Sequence, residues 1–414
     1  MSGTVIVGSG QAGFQVAASL RQGGYKAPIT LIGDEAGLPY GRPALSKAYL
    51  LGKTDATGLH LRPAAFFKEH DVILRAGERV AALRPERRDL ELQSGATLRY
   101  DHLVLATGSR NRALPVPGTD LAGVHQLRTL ADADAAKAAL EAVRDVVIVG
   151  AGFIGLEFAA VCASTGLRVT VLEGAPRALA RAVSPVMAAA LEETHRQAGV
   201  HFAFGAAVSA IEGQGSRVTG VRTQTGEFYP ADLVMIGIGV VPNQELAAAA
   251  DLPVSNGIDV DETLLTEDAA ISAVGDCAHH PSPHAHTGRV RIESVQGAVD
   301  GGRCVAARLN GQPSPHVAVP WFWSDQGAYK LQIAGLAAPH DLAVPRGDPR
   351  SGAFSVFCFR DGRLVGVESL NRPADHMMAR RLLDGASGLM PEQAADTGFD
   401  LKTLAGPGRA RASA

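Results

Sequence analysis

Two glycine clusters 142 positions apart carry the most legible chemistry of this chain. Gly8-Ser9-Gly10-Gln11-Ala12-Gly13 follows the apolar run Thr4-Val5-Ile6-Val7, and Gly150-Ala151-Gly152-Phe153-Ile154-Gly155 follows Val146-Val147-Ile148-Val149. In such an order a strand ends in glycines that permit a tight turn and close backbone approach, and a helix then aims its free N–H groups at a pyrophosphate. Each copy also has an acidic residue where the motif needs one to accept hydrogen bonds from a ribose hydroxyl. Asp34-Glu35 closes the run Ile29-Thr30-Leu31-Ile32, with Asp34 21 positions after Gly13; Glu173 closes Val169-Thr170-Val171-Leu172, 18 positions after Gly155. One dinucleotide site is common. Two in one chain imply electrons passing between two dinucleotides.

The elements that must position these loops follow from the pattern around them. Leu103-Val104-Leu105-Ala106-Thr107-Gly108 reads as a buried strand ending in a turn, and Pro115-Val116-Pro117-Gly118 as a crossing between domains. The second βαβ unit opens at Val146 and closes at Leu233-Val234-Met235-Ile236, followed by Gly237-Ile238-Gly239. Ile271-Ser272-Ala273-Val274-Gly275-Asp276, a short apolar strand running into Gly-Asp, then signals a return to the first domain. From about Val319 the character changes: Trp321-Phe322-Trp323-Ser324-Asp325-Gln326 holds both tryptophans, and Leu331 to Ala334 and Phe354 to Phe359 read as antiparallel strands. The expected fold class is α/β: two Rossmann-like dinucleotide-binding domains plus a C-terminal α+β domain. The tail from Ala405-Gly406-Pro407-Gly408-Arg409 onward is expected to be mobile.

Bulk properties exclude several classes. The 414 residues exceed one core, so two or three domains are expected. A net charge of −3 argues against a general nucleic-acid binder, and no apolar stretch is long enough to span a bilayer. The first strand begins close to Met1, leaving no room for a signal peptide, and Cys162, Cys277, Cys304 and Cys358 form no CxxC pair. A cytoplasmic protein with reduced thiols is expected. His279, His280, His284 and His286 cluster in a Pro-rich stretch whose spacing fits no standard metal site, so no metal is assigned.

Arg42-Pro43-Ala44-Leu45-Ser46-Lys47, Ala106-Thr107-Gly108, the second glycine motif continuing into Leu156-Glu157, Thr266 to Asp276, Arg291-Ile292-Glu293-Ser294-Val295 and the Trp321 to Gln326 segment occur together in this order. The chain thereby resembles the FAD-dependent ferredoxin reductases of bacterial oxygenase systems, over nearly its whole length. Ala44, where relatives often carry a second proline, and Gly327-Ala328 depart from that pattern. The resemblance implies FAD in the first glycine site and NADH in the second, with residues 1–112 and 239–318 forming the FAD domain, 113–238 the NADH domain and 319–414 the C-terminal domain.

Residue by residue, the resemblance implies that Gly8, Gly10, Ala12 and Gly13 meet the FAD pyrophosphate, Asp34 and Glu35 the adenosine ribose, and Val80 the adenine region. Arg42, Lys47, Ala106, Thr107, Gly108 and Arg128 would also contact FAD. Asp276 would bind its ribityl chain, Val295 would lie beside the flavin ring at a helix start, and Trp323 or Trp321 would cover the flavin or face a partner. For NADH it implies Gly150, Gly152, Phe153, Ile154, Gly155, Glu157, Glu173 and Gly239. Lys47 and Glu157 are the implied catalytic pair, in a cleft where the nicotinamide stacks on the flavin. Glu173 would accept from the ribose 2′-OH of NADH and repel the extra phosphate of NADPH, a preference that Arg177 and Arg181 could soften.

Disulfide reductases of this architecture need a cysteine pair beside the flavin, and residues 38–51 contain none. The electrons are therefore expected to leave singly, to a small [2Fe-2S] ferredoxin, with rubredoxin as the alternative, serving a haem monooxygenase or Rieske dioxygenase. Arg289, Arg291, Arg303 and Arg308 are the expected basic docking residues, on a monomer or weak homodimer. Competing expectations are an NADH oxidase or reductase of monodehydroascorbate or a quinone, and an NADH-sensing flavoprotein with little turnover.

Overall fold

A computed structural model describes residues 3–385 and 387–404, so the expected mobile tail lies outside the described residues. The chain divides into two compact units: Met1–Gly41, Thr57–Arg110 and Val241–Pro320 form the first, and Arg42–Ala56, Asn111–Val240 and Trp321–Ala414 the second.

The first unit is built on a five-stranded parallel sheet with strand order Ile271–Ala273, His102–Leu105, Thr4–Val7, Ile29–Gly33, Val72–Ala76. Its strands are short, continuous apolar runs because both faces are covered. Helix Gln11–Gln22 packs on helix Val295–Leu309, and Ile6, Val16, Leu20, Leu31 and Val104 are fully buried. A three-stranded antiparallel sheet, Val80–Arg84, Asp89–Leu92 and Thr97–Arg99, is attached to it.

The second unit repeats the plan with Val200–Phe204, Arg168–Glu173, Asp145–Val149, Leu233–Ile236 and Val124–Gln126, again all parallel. Helix Phe153–Ser164 is apolar on nearly every side and buries Leu156, Phe158, Ala159 and Cys162 completely. The same unit carries the antiparallel sheet Trp321–Gln326, Tyr329–Gly335, Arg363–Leu370, Phe354–Arg360, Leu342–Arg346, which with helix Pro373–Leu383 encloses a core of its own around Phe357, Phe359 and Val367. The short segment Arg42–Ala56 groups with this unit rather than with the sequence around it, because Ser46, Lys47 and Tyr49 bond to Glu157 and Asp134. Among the described residues no helix is long and apolar enough to cross a membrane.

Candidate functional site

The first glycine loop leaves strand Thr4–Val7 at Gly8, whose φ of +108° is closed to most L side chains and whose missing Cβ would fall 2.1 Å from the Ala106 carbonyl oxygen. A Cβ on Gly13 would fall 1.9 Å from the Gly8 carbonyl oxygen, so glycine alone lets the helix start so close to the strand end. Gly10 caps helix Gln11–Gln22 with no side-chain bond, the first turn has no acidic residue, and nothing lies within 4 Å of where a Gly10 Cβ would stand. The result is an open helix N-terminus that favours an anion. Strand His102–Leu105 delivers Ala106, Thr107 and Gly108 beside it. Asn243 pins that turn with three bonds: its Nδ2 donates to Thr107 O (2.9 Å), its N to Gly108 O (2.9 Å), and its carbonyl accepts from Thr107 Oγ1 (2.6 Å).

Strand Ile271–Ala273 brings Asp276 to the same end of the sheet. Gly275, at φ +78°, passes so close to Ala12 that a Cβ would stand 2.8 Å from the alanine methyl. Ser109 Oγ donates to Asp276 Oδ2 (2.8 Å), aiming the carboxylate, and Arg291 Nη1 donates to its backbone oxygen (3.1 Å). Val295 is the first residue of helix Val295–Leu309, capped by Ser294 Oγ accepting from Gly297 N, and that first turn too lacks an acid. Val80 opens its antiparallel strand half-buried. Three strand ends and two helix N-termini thus converge. This backbone cradle, open at Gly10 and with the Asp276 carboxylate at the same end of the sheet, has the N–H donors a pyrophosphate requires and an acceptor of the kind a polyol chain requires, the two parts that FAD presents.

The second loop repeats the first in detail. Gly8 N donates to Ile32 O and Gly150 N to Leu172 O, both at 2.8 Å. A Cβ on Gly155 would fall 2.2 Å from Gly150 O. Helix Phe153–Ser164 starts behind Gly152, again without a side-chain cap or an acid. Ile154 is exposed, and Gly239, at φ +96°, accepts from Arg112 N. Glu173 spans the loop: its Oε2 accepts from Ala151 N and its Oε1 from Ala175 N, both at 2.8 Å. A carboxylate has about four acceptor positions, so two stay available to a ribose. Arg177 is committed to the carbonyls of Ala178, Leu179, Ala180 and Val183, whereas Arg181 is exposed.

The two loops differ at one place. Val7 pairs with Ile32 and Val149 with Leu172, so Gly33 stands where the second unit has Glu173. Asp34 is one residue further, with its side chain 55% exposed and 3.3 Å from Arg79 Nη2. Glu35 accepts from Tyr40 Oη (2.6 Å).

Arg42, Lys47, Arg128 and Trp323 all fall in the second unit. Arg42 Nη1 donates to Arg128 O (2.6 Å), and Arg128 N to Asp132 Oδ2 (3.0 Å). Lys47 Nζ lies 2.9 Å from Glu157 Oε1, and Glu157 is 2% exposed. Its carboxylate also accepts from Ser46 Oγ (2.5 Å) and Ser324 Oγ (2.7 Å), partners that sequence reasoning missed. The Glu157 carboxylate is thus buried among three donors, one turn into the helix that starts at the second glycine loop. Trp323 stacks obliquely on Trp321, ring centres 5.7 Å apart, and Phe322 packs on Phe153 at 4.5 Å.

The expected basic docking patch is not formed by its named residues. Arg289 binds Val260 O and His279 O; Arg291 is 9% exposed and paired with Glu293; Arg308 is half-buried against Ser272. Of the four, Arg303 alone is exposed; Arg289 and Arg291 are tied to backbone carbonyls and Arg308 to the side chains of Ser272 and His102. His279 pairs with Asp259 Oδ1 (2.8 Å), and His280 packs edge-on against His316, burial holding both His280 and His316 below the usual imidazole range. All four thiols are buried and unpaired. Burial raises each of them, Cys162 to about 12 and Cys304 to about 11, which leaves no reactive thiolate.

Known proteins share this arrangement. Residues 3–302 match the pyridine nucleotide-disulphide oxidoreductase family and residues 321–405 the reductase C-terminal family. The chain belongs to the pyridine nucleotide-disulphide oxidoreductases. It is 52% identical to rhodocoxin reductase of Rhodococcus erythropolis, over 96% of this chain and 93% of that one. The ferredoxin reductase for the CYP199A2 system from Rhodopseudomonas palustris superposes with a TM-score of 0.95 at 48% identity, over 98% of this chain and 100% of that one. The covalent putidaredoxin reductase–putidaredoxin complex gives 0.94 at 39% identity, over 97% and 98%. The chain is an oxidoreductase of this family, with the glutathione-reductase-type fold, and its cofactors are FAD and a nicotinamide dinucleotide.

Proposed function

We propose that the chain takes a hydride from NADH and passes the electrons, one at a time, to a small [2Fe-2S] ferredoxin serving a haem monooxygenase or a Rieske dioxygenase. The observation that carries this reading is the pairing of two dinucleotide cradles with four buried, unreactive thiols. With no thiol to receive them, the electrons leave the protein. FAD supplies the conversion, since it accepts a hydride as an electron pair and releases electrons singly. The balance is one NADH oxidised to NAD⁺ and a proton released for two ferredoxins each reduced by one electron.

Within the first unit, Gly8, Gly10, Ala12 and Gly13 would hold the FAD pyrophosphate, Asp276 the ribityl hydroxyls, and the N-terminus at Val295 the electron-rich edge of the flavin ring. Within the second, Gly150, Gly152 and Gly155 would hold the NADH pyrophosphate and Glu173 its adenosine ribose. Glu157, one turn along the same helix, and Lys47 would stand at the nicotinamide end, fixing the ring for transfer. Four unpaired thiols fit a reducing, cytoplasmic setting.

Anaerobic mixing tests the assignment. NADH should bleach the flavin much faster than NADPH, and cytochrome c should be reduced only when a [2Fe-2S] ferredoxin is added. Fast reduction of quinones or oxygen with no response to ferredoxin would overturn the partner.

A further inference from the structure

The segment Trp321–Gln326 is a strand, so its residues alternate between two faces. Phe322, Ser324 and Gln326 form one face, and all three meet the dinucleotide-binding part of the second unit: Phe322 on Phe153, Ser324 on Glu157 and Gln326 on His195. The spacing explains the match. Phe153 to Glu157 is four residues of helix, a rise of about 6 Å. Phe322 to Ser324 is two residues of strand, about 6.8 Å. Over Phe322 and Ser324 the strand therefore reads along the helix, one alternate residue per turn, and Gln326 goes on to meet His195 on helix Pro185–Gln197.

The bonds on this face run in one direction only. Ionised Glu157 accepts and cannot donate, so Ser324 Oγ gives it its single proton at 2.7 Å. Ser324 then accepts from Gln326 Nε2 at 3.2 Å, which turns Gln326 Oε1 towards His195 Nε2 at 2.9 Å. His195 must carry its proton on Nε2, and its burial favours the neutral ring. Ser324, Gln326 and His195 are 0%, 3% and 3% exposed, so water cannot substitute for a lost partner.

We infer that Ser324 and Gln326 are positioning residues for hydride transfer: they hold the Glu157 carboxylate, through a one-way chain anchored at His195, in the orientation in which it pairs with Lys47. The inference rests on the proposed reading that the Lys47–Glu157 pair borders the nicotinamide. Misplacing such a group by an ångström is enough to slow a reaction about a hundredfold. Glu157 keeps two other donors, Ser46 and Lys47, so a smaller loss is expected here.

The test uses the flavin-loaded protein and follows flavin bleaching by NADH in a stopped-flow instrument, separating the limiting rate from the NADH dissociation constant. Ser324→Ala should lower the limiting rate about tenfold with the dissociation constant within about twofold and flavin content and melting temperature unchanged. Ser324→Thr, which keeps the hydroxyl, should restore the rate. Gln326→Glu should slow it as well, because a carboxylate there competes for the one Ser324 proton. Normal limiting rates in Ser324→Ala and Gln326→Glu, alongside a slow Glu157→Gln, would overturn this inference and leave the reading of Glu157 standing. A normal rate in Glu157→Gln would remove both. A Ser324→Ala defect that Ser324→Thr does not rescue, or that comes with a lower melting temperature, would make the role structural and overturn the inference.

Discussion

Replacing Glu173 should change the choice between NADH and NADPH, and the structure allows the size of the change to be worked out. Its carboxylate is bonded to Ala151 N and Ala175 N and is partly exposed. Two unit charges 4 Å apart interact by about 1 kcal/mol in water, so a 2′-phosphate bearing nearly two charges beside Glu173 is disfavoured by about 2 kcal/mol. A ribose hydroxyl bonded to the same carboxylate gains about 1 kcal/mol. Glu173→Ala removes both effects and shifts the NADPH-to-NADH ratio of kcat/KM by about 3 kcal/mol, roughly a hundredfold. The variant also strips partners from two loop amides, Ala151 being almost fully buried. That cost of about 1–3 kcal/mol falls on both coenzymes and cancels in the ratio. Steady-state kcat/KM with each coenzyme, at saturating ferredoxin, gives the number. A ratio that moves less than about threefold would refute the reasoning, since even the aqueous charge effect alone exceeds that.

Gly13→Val should yield protein without flavin, read as the ratio of absorbance at 450 nm to that at 280 nm, because a Cβ there meets the Gly8 carbonyl at 1.9 Å. Burial holds His102 down to about 3 and His316 to about 4. An unfolded histidine takes up its proton near pH 6.5 while the folded one does not, so stability should be complete above about 6.5 and fall as the pH drops towards about 4. His102, only 7% exposed, contributes up to about 1.4 kcal/mol per pH unit in that window. Thermal melts at pH 7.5, 6 and 5 should show the decline, and His102→Gln should flatten it. The four thiols should resist a thiol reagent at pH 8 in the folded protein, without change in NADH-dependent flavin reduction; rapid loss of that reduction on labelling would place a thiol in the electron path.

What could be read from the sequence was local. Gly8 to Gly13 and Gly150 to Gly155 announce themselves because turn, cap and helix start are set by adjacent residues. Alternation also picked out two of the five strands of the C-terminal sheet, Tyr329–Gly335 and Phe354–Arg360. The donors around Glu157 were hidden because Ser46 lies 111 positions from it and Ser324 167 positions. The Trp321–Gln326 segment drew attention through its tryptophans, although its alternate polar residues make the buried bonds. Asn243 carried no signal at all, being one polar residue after a strand. The arginine patch failed for a related reason: sequence gives charge without burial, and Arg291 and Arg308 spend their charge on backbone and side-chain bonds inside the first unit.

The near-identity of the two glycine loops makes their one difference informative. At the register position shared by Gly33 and Glu173, the first unit has bare backbone, and a Cβ there would fall 1.9 Å from Ser9 Oγ. The second unit puts a carboxylate there, bonded to Ala151, the counterpart of Ser9. The same space is filled from the loop side in one unit and from the strand side in the other. Under the proposed reading this difference has a reason. A coenzyme that binds and leaves at each turnover must be told from its phosphorylated twin every time, and a fixed charge at the ribose is an effective means of refusal. A resident cofactor is chosen once and held by area, so the first cradle has no need of a charge at that register position. Its acid can stand one residue further out, at Asp34, exposed and shared with Arg79.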